Sequence, residues 1–288
     1  MKNYLSLVKF SHTIFALPFA MLGLFLGFFA SGTLRIDWML FLKVLACMVF
    51  ARSAAMAFNR YVDRDIDKIN PRTQKREIPS GIITARRALL FVVLNAALFI
   101  ATTYFINPIC FWLSPIALLV VLGYSYTKRF TFLCHLILGL GLSLAPIGAY
   151  LAVTGYFSWL PVLYSLSVLC WVAGFDIIYA LQDEGFDKEK DLYSIPARFG
   201  AKKSLIISSI LHIICALLII VAGIIGKNQM PALNSLHWIG AAIFIALLIY
   251  QHTLVGPGKL DKVNMAFFTT NGVASMLFSI FFISDLFL

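Results

Sequence analysis

Two sets of aspartates carry the chemistry this sequence offers. In Asn59-Arg-Tyr-Val-Asp63-Arg-Asp65-Ile-Asp67, the residues Asn59, Asp63 and Asp67 recur at i, i+4 and i+8. A helix therefore sets three oxygen-bearing side chains along one stripe. In Asp176-Ile-Ile-Tyr179-Ala-Leu-Gln182-Asp183-Glu-Gly-Phe-Asp187, the residues Asp176, Asp183 and Asp187 recur at i, i+7 and i+11, again one stripe, with Tyr179 beside it. Carboxylates four residues apart repel, and beside a membrane the repulsion is poorly screened, so a cation must offset it. Carboxylate and amide oxygens without His or Cys suit a hard ion. Mg²⁺ keeps several waters and binds through a few carboxylates together with substrate phosphates. Arg and Lys accompany both stripes, so the pattern points to Mg²⁺ bridging the protein to a diphosphate. A single Asp here is better explained as a helix-end cap paired with a neighbouring base. Two such stripes in an otherwise apolar chain are not.

The elements that must position these stripes are membrane helices. Hydrophobic residues make up 61% of the 288 and charged residues 12%, a balance that excludes a soluble domain of this length. Apolar segments fall at roughly 10–30, 37–58, 88–106, 108–126, 132–153, 159–182, 204–226, 235–254 and 263–287, each near the ~20 residues that cross hydrocarbon as a helix. They lack the short apolar and polar alternation of a barrel strand. The first is read as a retained span, because Pro18 and Phe19 interrupt it and no small-residue cleavage pattern follows. The expected fold class is therefore an all-α polytopic membrane protein, nine transmembrane helices around a central cavity.

Charge sets the expected orientation. Lys and Arg gather at the N-terminus, after span two, at Lys128 and Arg129, between Lys188 and Lys203, and at Lys259 and Lys262, whereas the alternate side has Arg35 and Lys227. The N-terminus and both acidic loops are thus expected in the cytoplasm. The net charge of +10 follows from this bias and calls for no nucleic-acid partner. The five cysteines lie in apolar segments without a Cys-x-x-Cys pair, as packing residues do. Two loops are long, roughly 59–87 and 183–203, and they contain nine of the 13 acidic residues. Four spans separate them, a spacing that hints at a duplicated four-helix unit with one helix added, in which the stripes would face each other across a cavity.

The full pattern resembles a known family. Asn59-x-x-x-Asp63-x-x-x-Asp67 is followed by Asn70-Pro-Arg-Thr73 and Arg76-Glu-Ile-Pro79-Ser-Gly81; Tyr179-Ala-x-Gln-Asp183-x-x-x-Asp187 runs into Ser194-Ile-Pro-Ala-Arg-Phe-Gly200. Together they look like the UbiA-type intramembrane aromatic prenyltransferases, and most of all the 4-hydroxybenzoate polyprenyltransferase branch. The resemblance covers nearly the whole chain and implies a single integral-membrane prenyltransferase domain, 1–288. It implies transfer of a polyprenyl group from its diphosphate to the ring of an aromatic acid in quinone biosynthesis, in a bacterial-type inner membrane, with Mg²⁺ held by Asn59, Asp63, Asp67, Asp183 and Asp187. Arg60, Arg64, Arg72, Arg76, Lys128 and Arg129 are candidates for the phosphates, with Tyr124 of Tyr124-x-x-x-Lys128-Arg129, and Arg129 is also a candidate for the acceptor's carboxylate. Lys9 stands where many relatives carry Arg, keeping the charge without the bidentate geometry. Arg52, two turns before Asn59, requires an anion: the diphosphate, the aromatic acid, or an acid such as Asp176. Tyr124 and Tyr179 offer aromatic faces to an allylic cation, and either Asp183 or Asp187 is a candidate base for the acceptor phenol. His12 reads as a packing or hydrogen-bonding residue.

Two alternatives stay open at this level. A dihydroxynaphthoate acceptor of menaquinone biosynthesis would use the same chemistry. A secondary transporter would also gather intramembrane carboxylates, but its acids belong at mid-membrane breaks between half-helices rather than at Arg-rich cytoplasmic helix ends.

Overall fold

Polar punctuation in the apolar chain decides where its helices begin and end. The computed structural model describes residues 2–8, 16–32, 36–230 and 233–288, apart from the side chains of Lys2, Asn3 and Leu5. The described residues form α1 (Lys2–Leu7), α2 (Leu17–Ala30), α3 (Trp38–Val62), α4 (Arg64–Ile69), α5 (Ala85–Tyr104), α6 (Pro108–Thr127), α7 (Cys134–Thr154), α8 (Trp159–Ala180), α9 (Glu184–Glu189), α10 (Ile195–Gln229), α11 (Ser235–Leu254) and α12 (Asn271–Phe287), and no strand among them. Asp37 caps α3 by accepting the Met39 and Leu40 N–H groups at 2.9 and 3.0 Å. Thr84 caps α5 and Ser194 caps α10, where Pro196 sits in the first turn. Each cap satisfies N–H groups that a helix start leaves open.

The protein is an all-helical integral membrane protein. Eight described helices are long and apolar enough to cross a bilayer, and α2, with 14 residues, is a shorter apolar helix. The expected first span, 10–30, is described only from Ala16 onward, so the count of nine is matched approximately. The chain forms two compact units, one of Met1–Thr13 and Asp37–Tyr126, the other of Ile14–Ile36 and Thr127–Leu288.

In the first unit α3 packs on α5 through small residues: Ala54, Ala57 and Ala88 are fully buried beside Val92, with Leu7 of α1 and Ile78 and Ile83 of the following loop. Short side chains let the two backbones approach, which is how membrane helices gain packing energy without a hydrophobic drive. The loop itself is ordered by Asn70, whose Oδ1 accepts the Arg72 N–H at 2.9 Å, and by Thr73, whose hydroxyl donates to the Asp67 carbonyl at 3.2 Å.

In the second unit α8 is buried on most of its faces and contacts α7 and α10, while α2 packs on α7 and α11 on α12. Gly23 of α2 lies against the Pro146 backbone of α7, so close that a Cβ there would collide with it. Phe19, Trp171, Phe244 and Phe278 form an aromatic core, with Phe19 and Trp171 centroids 5.2 Å apart. Asp285 of α12 is buried and accepts the N–H groups of Asn234, Leu236 and His237 at 2.6, 3.3 and 3.0 Å, capping α11 from a neighbouring helix. Asp285→Ala strands these donors and is expected to remove about 1–2 kcal/mol of stability. A lower thermal midpoint of the detergent-purified variant checks this; an unchanged midpoint refutes the cap's contribution.

Candidate functional site

The first acidic segment sits where α3 ends. Asp63 leaves the helix at φ −85° and ψ 1°, and α4 starts at Arg64, so the expected single stripe runs over two helices. The ladder carries across the break through the Asp67 N–H bonded to the Asp63 carbonyl at 2.7 Å. Asn59 Nδ2 donates to Asp63 Oδ2 at 3.2 Å, which keeps these two oxygen donors together. Asp63 and Asp67 are 2% and 3% exposed, a degree of burial that carboxylates accept only with partners. Asp67 has turned to Arg76, whose Nη1 lies 2.8 Å from both of its oxygens. Two residues assigned to separate tasks from the sequence, one for metal and one for phosphate, are therefore an ion pair.

Arg60 is buried nearby, within electrostatic reach of Asp67, Glu77, Arg76 and Tyr124. Its Nε and Nη1 have no hydrogen-bond partner among the described residues, and the same holds for Nε of Arg52. Tyr124 lies within electrostatic reach of Arg52 as well. Glu77, which the sequence did not single out, is held by the Ser6 hydroxyl at 2.5 Å and leaves Oε2 without a partner among the described residues. Arg64 is engaged locally: it donates to the Tyr61 carbonyl at 2.8 Å, stacks 4.7 Å above the Tyr61 ring and lies 3.6 Å from Asp65. Arg72 is exposed on the loop surface. Lys9 and His12 lie outside the described residues.

The second acidic segment departs from its expected stripe. After α8 the chain tightens into a 3₁₀ turn, Leu181–Asp183, before α9, and the tighter turn takes Asp183 and Asp187 out of the α-helical register of Asp176. Asp176 is bonded to His135 of α7, with Nδ1 and Oδ2 at 2.7 Å, a partner that the sequence did not point to. Asp187 is hydrogen-bonded to Ser194 and lies within electrostatic reach of Asp183, Lys128 and His135. Lys128 also accepts the Tyr193 N–H on its carbonyl at 2.7 Å, and Arg129 next to it is half-buried. The helical turn from Ser194 to Phe199 is separated from the rest of α10 by Gly200, at φ 75° and ψ 166°, a conformation that only glycine adopts without strain.

Tyr179 presents its ring to Phe267, centroids 4.1 Å apart, and Phe268 lies 5.9 Å away. Both phenylalanines belong to a π-helical turn, Met265–Thr270, and sequence reasoning missed them. Asn271, which accepts the Trp171 indole N–H at 2.8 Å and donates back to the Ala266 carbonyl, was the available signal: an amide within an apolar span.

Chemically, each segment offers oxygen donors and nearby cations, the set that suits a hard divalent ion and a phosphate. Among the described residues no three His, Cys, Asp or Glu side chains are gathered closely enough to hold a metal unaided. An ion at either segment would complete its shell with non-protein oxygens.

Comparison with known proteins agrees with this architecture. The model of the UbiA prenyltransferase family matches residues 16–278. A 4-hydroxybenzoate octaprenyltransferase of Aliivibrio fischeri is 29% identical over 246 residues, 84% of this chain and 83% of its own length. A UbiA homolog from Aeropyrum pernix K1, solved in its apo form, superposes with a TM-score of 0.83 at 30% identity, over 96% of this chain and 98% of that one. A UbiA homolog from Archaeoglobus fulgidus, solved with GPP and Mg²⁺ bound, shares the fold at a TM-score of 0.78 and 21% identity, over 99% of this chain and 100% of that one. A match that takes in both acidic segments and all but the ends of the chain, on an all-helical membrane fold, means that the chain belongs to the UbiA prenyltransferase family.

Proposed function

We propose that this chain transfers a polyprenyl group from polyprenyl diphosphate to the ring of 4-hydroxybenzoate, releasing diphosphate, in quinone biosynthesis. The whole chain, 1–288, serves this one activity in a bacterial-type inner membrane, with the N-terminus and both acidic loops on the cytoplasmic side. The observation that carries the reading is a half-buried Arg52 and a buried Arg60 in which Nε of Arg52 and Nε and Nη1 of Arg60 have no hydrogen-bond partner among the described residues. A buried guanidinium in a membrane protein requires an anion, and a diphosphate or an aromatic carboxylate has that charge. The octaprenyltransferase of Aliivibrio fischeri and the GPP and Mg²⁺ bound to the Archaeoglobus fulgidus protein support both the substrate class and the ion.

Mg²⁺ would be held at each acidic segment, by Asn59, Asp63 and Asp67 in one and by Asp183 and Asp187 in the other. When bound, it supplies positive charge that makes diphosphate a better leaving group. Arg60, Arg64, Arg72, Arg76, Lys128 and Tyr124 serve the phosphates. Arg76 neutralises Asp67 as the protein stands, and its guanidinium has the planar donor set that phosphate oxygens accept. Arg129 and Lys9 serve the acceptor's carboxylate, with Arg52 available to either anion. Tyr179, backed by Phe267, turns a π face to the allylic carbon once its C–O bond loosens, and Asp176 borders the same segment as a substrate contact. The ring carbon then bonds to the prenyl carbon as the C–O bond to diphosphate breaks, Asp183 or Asp187 helps remove the phenolic proton or orient the hydroxyl, and the ring carbon that was attacked loses its hydrogen as a proton to restore the aromatic ring.

Membranes containing the chain, incubated with labelled polyprenyl diphosphate, 4-hydroxybenzoate and Mg²⁺, are expected to yield a labelled lipophilic acid, and none after chelation. A product formed only with a dihydroxynaphthoate would overturn the acceptor assignment. Metal-independent product would overturn the role given to the aspartates.

A further inference from the structure

We propose that His135 is a positioning residue for the second acidic segment: a strut whose one end fixes Asp176 and whose other end fixes the turn that orients Asp187. The inference rests on the prenyl-transfer reading for its consequence and on bonds within one compact unit for its geometry. His135 Nε2 accepts the Ile195 N–H at 3.4 Å, which leaves the proton on Nδ1, and Nδ1–H donates to Asp176 Oδ2 at 2.7 Å. One imidazole thus ties α8 to the start of α10. Ser194, immediately before Ile195, accepts the Ala197 N–H at 3.2 Å and is hydrogen-bonded to Asp187, so its hydroxyl proton goes to the carboxylate.

Ser194 is clamped from both sides by the segment that leads into α7. On one side Tyr193 donates its N–H to the Lys128 carbonyl at 2.7 Å and accepts the Cys134 thiol at 3.5 Å; on the other, Ile195 is held by His135. Arg198 reinforces the clamp by stacking 4.8 Å over the Phe132 ring. The orientation of the Ser194 hydroxyl, and with it of Asp187, follows from that clamp. An apolar residue would fill the space of a buried ring at lower desolvation cost, so packing alone does not account for a histidine with one nitrogen on Asp176 of the acidic segment and the other on Ile195, next to the Ser194 that holds Asp187.

The test is a double-variant cycle on the purified full chain with two readouts: the Mg²⁺ concentration for half-maximal prenyl transfer, and the rise in thermal midpoint caused by Mg²⁺ with inorganic diphosphate. His135→Leu and Ser194→Ala are each expected to raise the Mg²⁺ requirement about tenfold and to shrink the midpoint shift. His135→Leu with Ser194→Ala is expected to do no more than the worse single change, because both act along one path. Additive losses, or an unchanged Mg²⁺ requirement in His135→Leu, overturn the strut. Where His135→Leu does not fold, His135→Gln and His135→Asn decide. The longer amide keeps an acceptor for Ile195 and is expected to restore the Mg²⁺ dependence; the shorter keeps only the Asp176 bond and is expected not to. The reverse order sinks the proposal. If wild type forms no prenylated acid but is stabilised by Mg²⁺ and diphosphate, the functional reading fails and the midpoint shifts still judge the strut. If wild type shows neither, both fall.

Discussion

Asp63→Ala is expected to lower prenyl transfer at least ~100-fold while the chain still inserts and folds, the scale on which removal of one group that stabilises transition-state charge is felt. The expectation follows from where Asp63 sits. It terminates α3, is 2% exposed, and takes the Asn59 amide at 3.2 Å, so it is held in place without being surrounded by water. A carboxylate kept in that setting has a use for its charge, since an apolar or amide side chain would close the helix at lower desolvation cost. Asp63→Asn separates the two possible reasons for a loss. It keeps an acceptor for Asn59 and nearly the same volume, and removes only the charge. Transfer by Asp63→Asn is expected to fall almost as far as in Asp63→Ala, with a thermal midpoint close to wild type. Asp63→Asn with near-normal turnover would show that the carboxylate is a structural cap and not part of the Mg²⁺ and diphosphate chemistry.

How far the sequence reaches is visible in the same segment. The spacing of Asn59, Asp63 and Asp67 put three donors on one stripe, and the structure does keep Asn59 and Asp63 in contact. It could not reveal that Asp67 turns to Arg76, because that pairing depends on how the side-chain bonds of Asn70 and Thr73 fold the loop back to bring Arg76, nine residues on, beside Asp67. In the second segment the spacing assumed a continuous helix. The 3₁₀ turn at Leu181–Asp183 breaks the register, and no residue type in Leu-Gln-Asp announces it. Hydropathy located the spans because burial in lipid demands length and apolarity, and these are additive along the chain. Packing is not additive, so the close approach of Gly23 to the Pro146 backbone and the capping of α11 by Asp285 had no one-dimensional signal. His135 is the intermediate case. A histidine in an apolar span is costly enough to be marked as functional, yet its meaning depended on Asp176 and Ile195, 41 and 60 residues away.

Arg60→Met is expected to have opposite effects on stability and on function. Arg60 is 5% exposed, and its Nε and Nη1 have no partner among the described residues, so the substrate-free protein bears an incompletely compensated buried cation. Asp67 and Glu77 lie within electrostatic reach, but Asp67 is taken by Arg76 and Glu77 by Ser6, while the Arg76 charge acts against Arg60. Methionine fills a similar volume without charge, and replacing a poorly paired buried ion by an apolar side chain is neutral or stabilising by about 1–4 kcal/mol. The thermal midpoint of Arg60→Met without substrate should therefore equal or exceed that of wild type. Function should move the other way. A hydrogen bond to a charged group contributes about 1.5–3 kcal/mol, so losing the Arg60 contacts to diphosphate should raise KM for polyprenyl diphosphate roughly 10- to 100-fold, with KM for the aromatic acid little changed. Arg60→Lys restores the charge without the planar donor set and is expected to fall between the two. A destabilised Arg60→Met with normal KM would mean that the guanidinium is satisfied within the folded protein, and the observation on which the proposed function rests would lose its force.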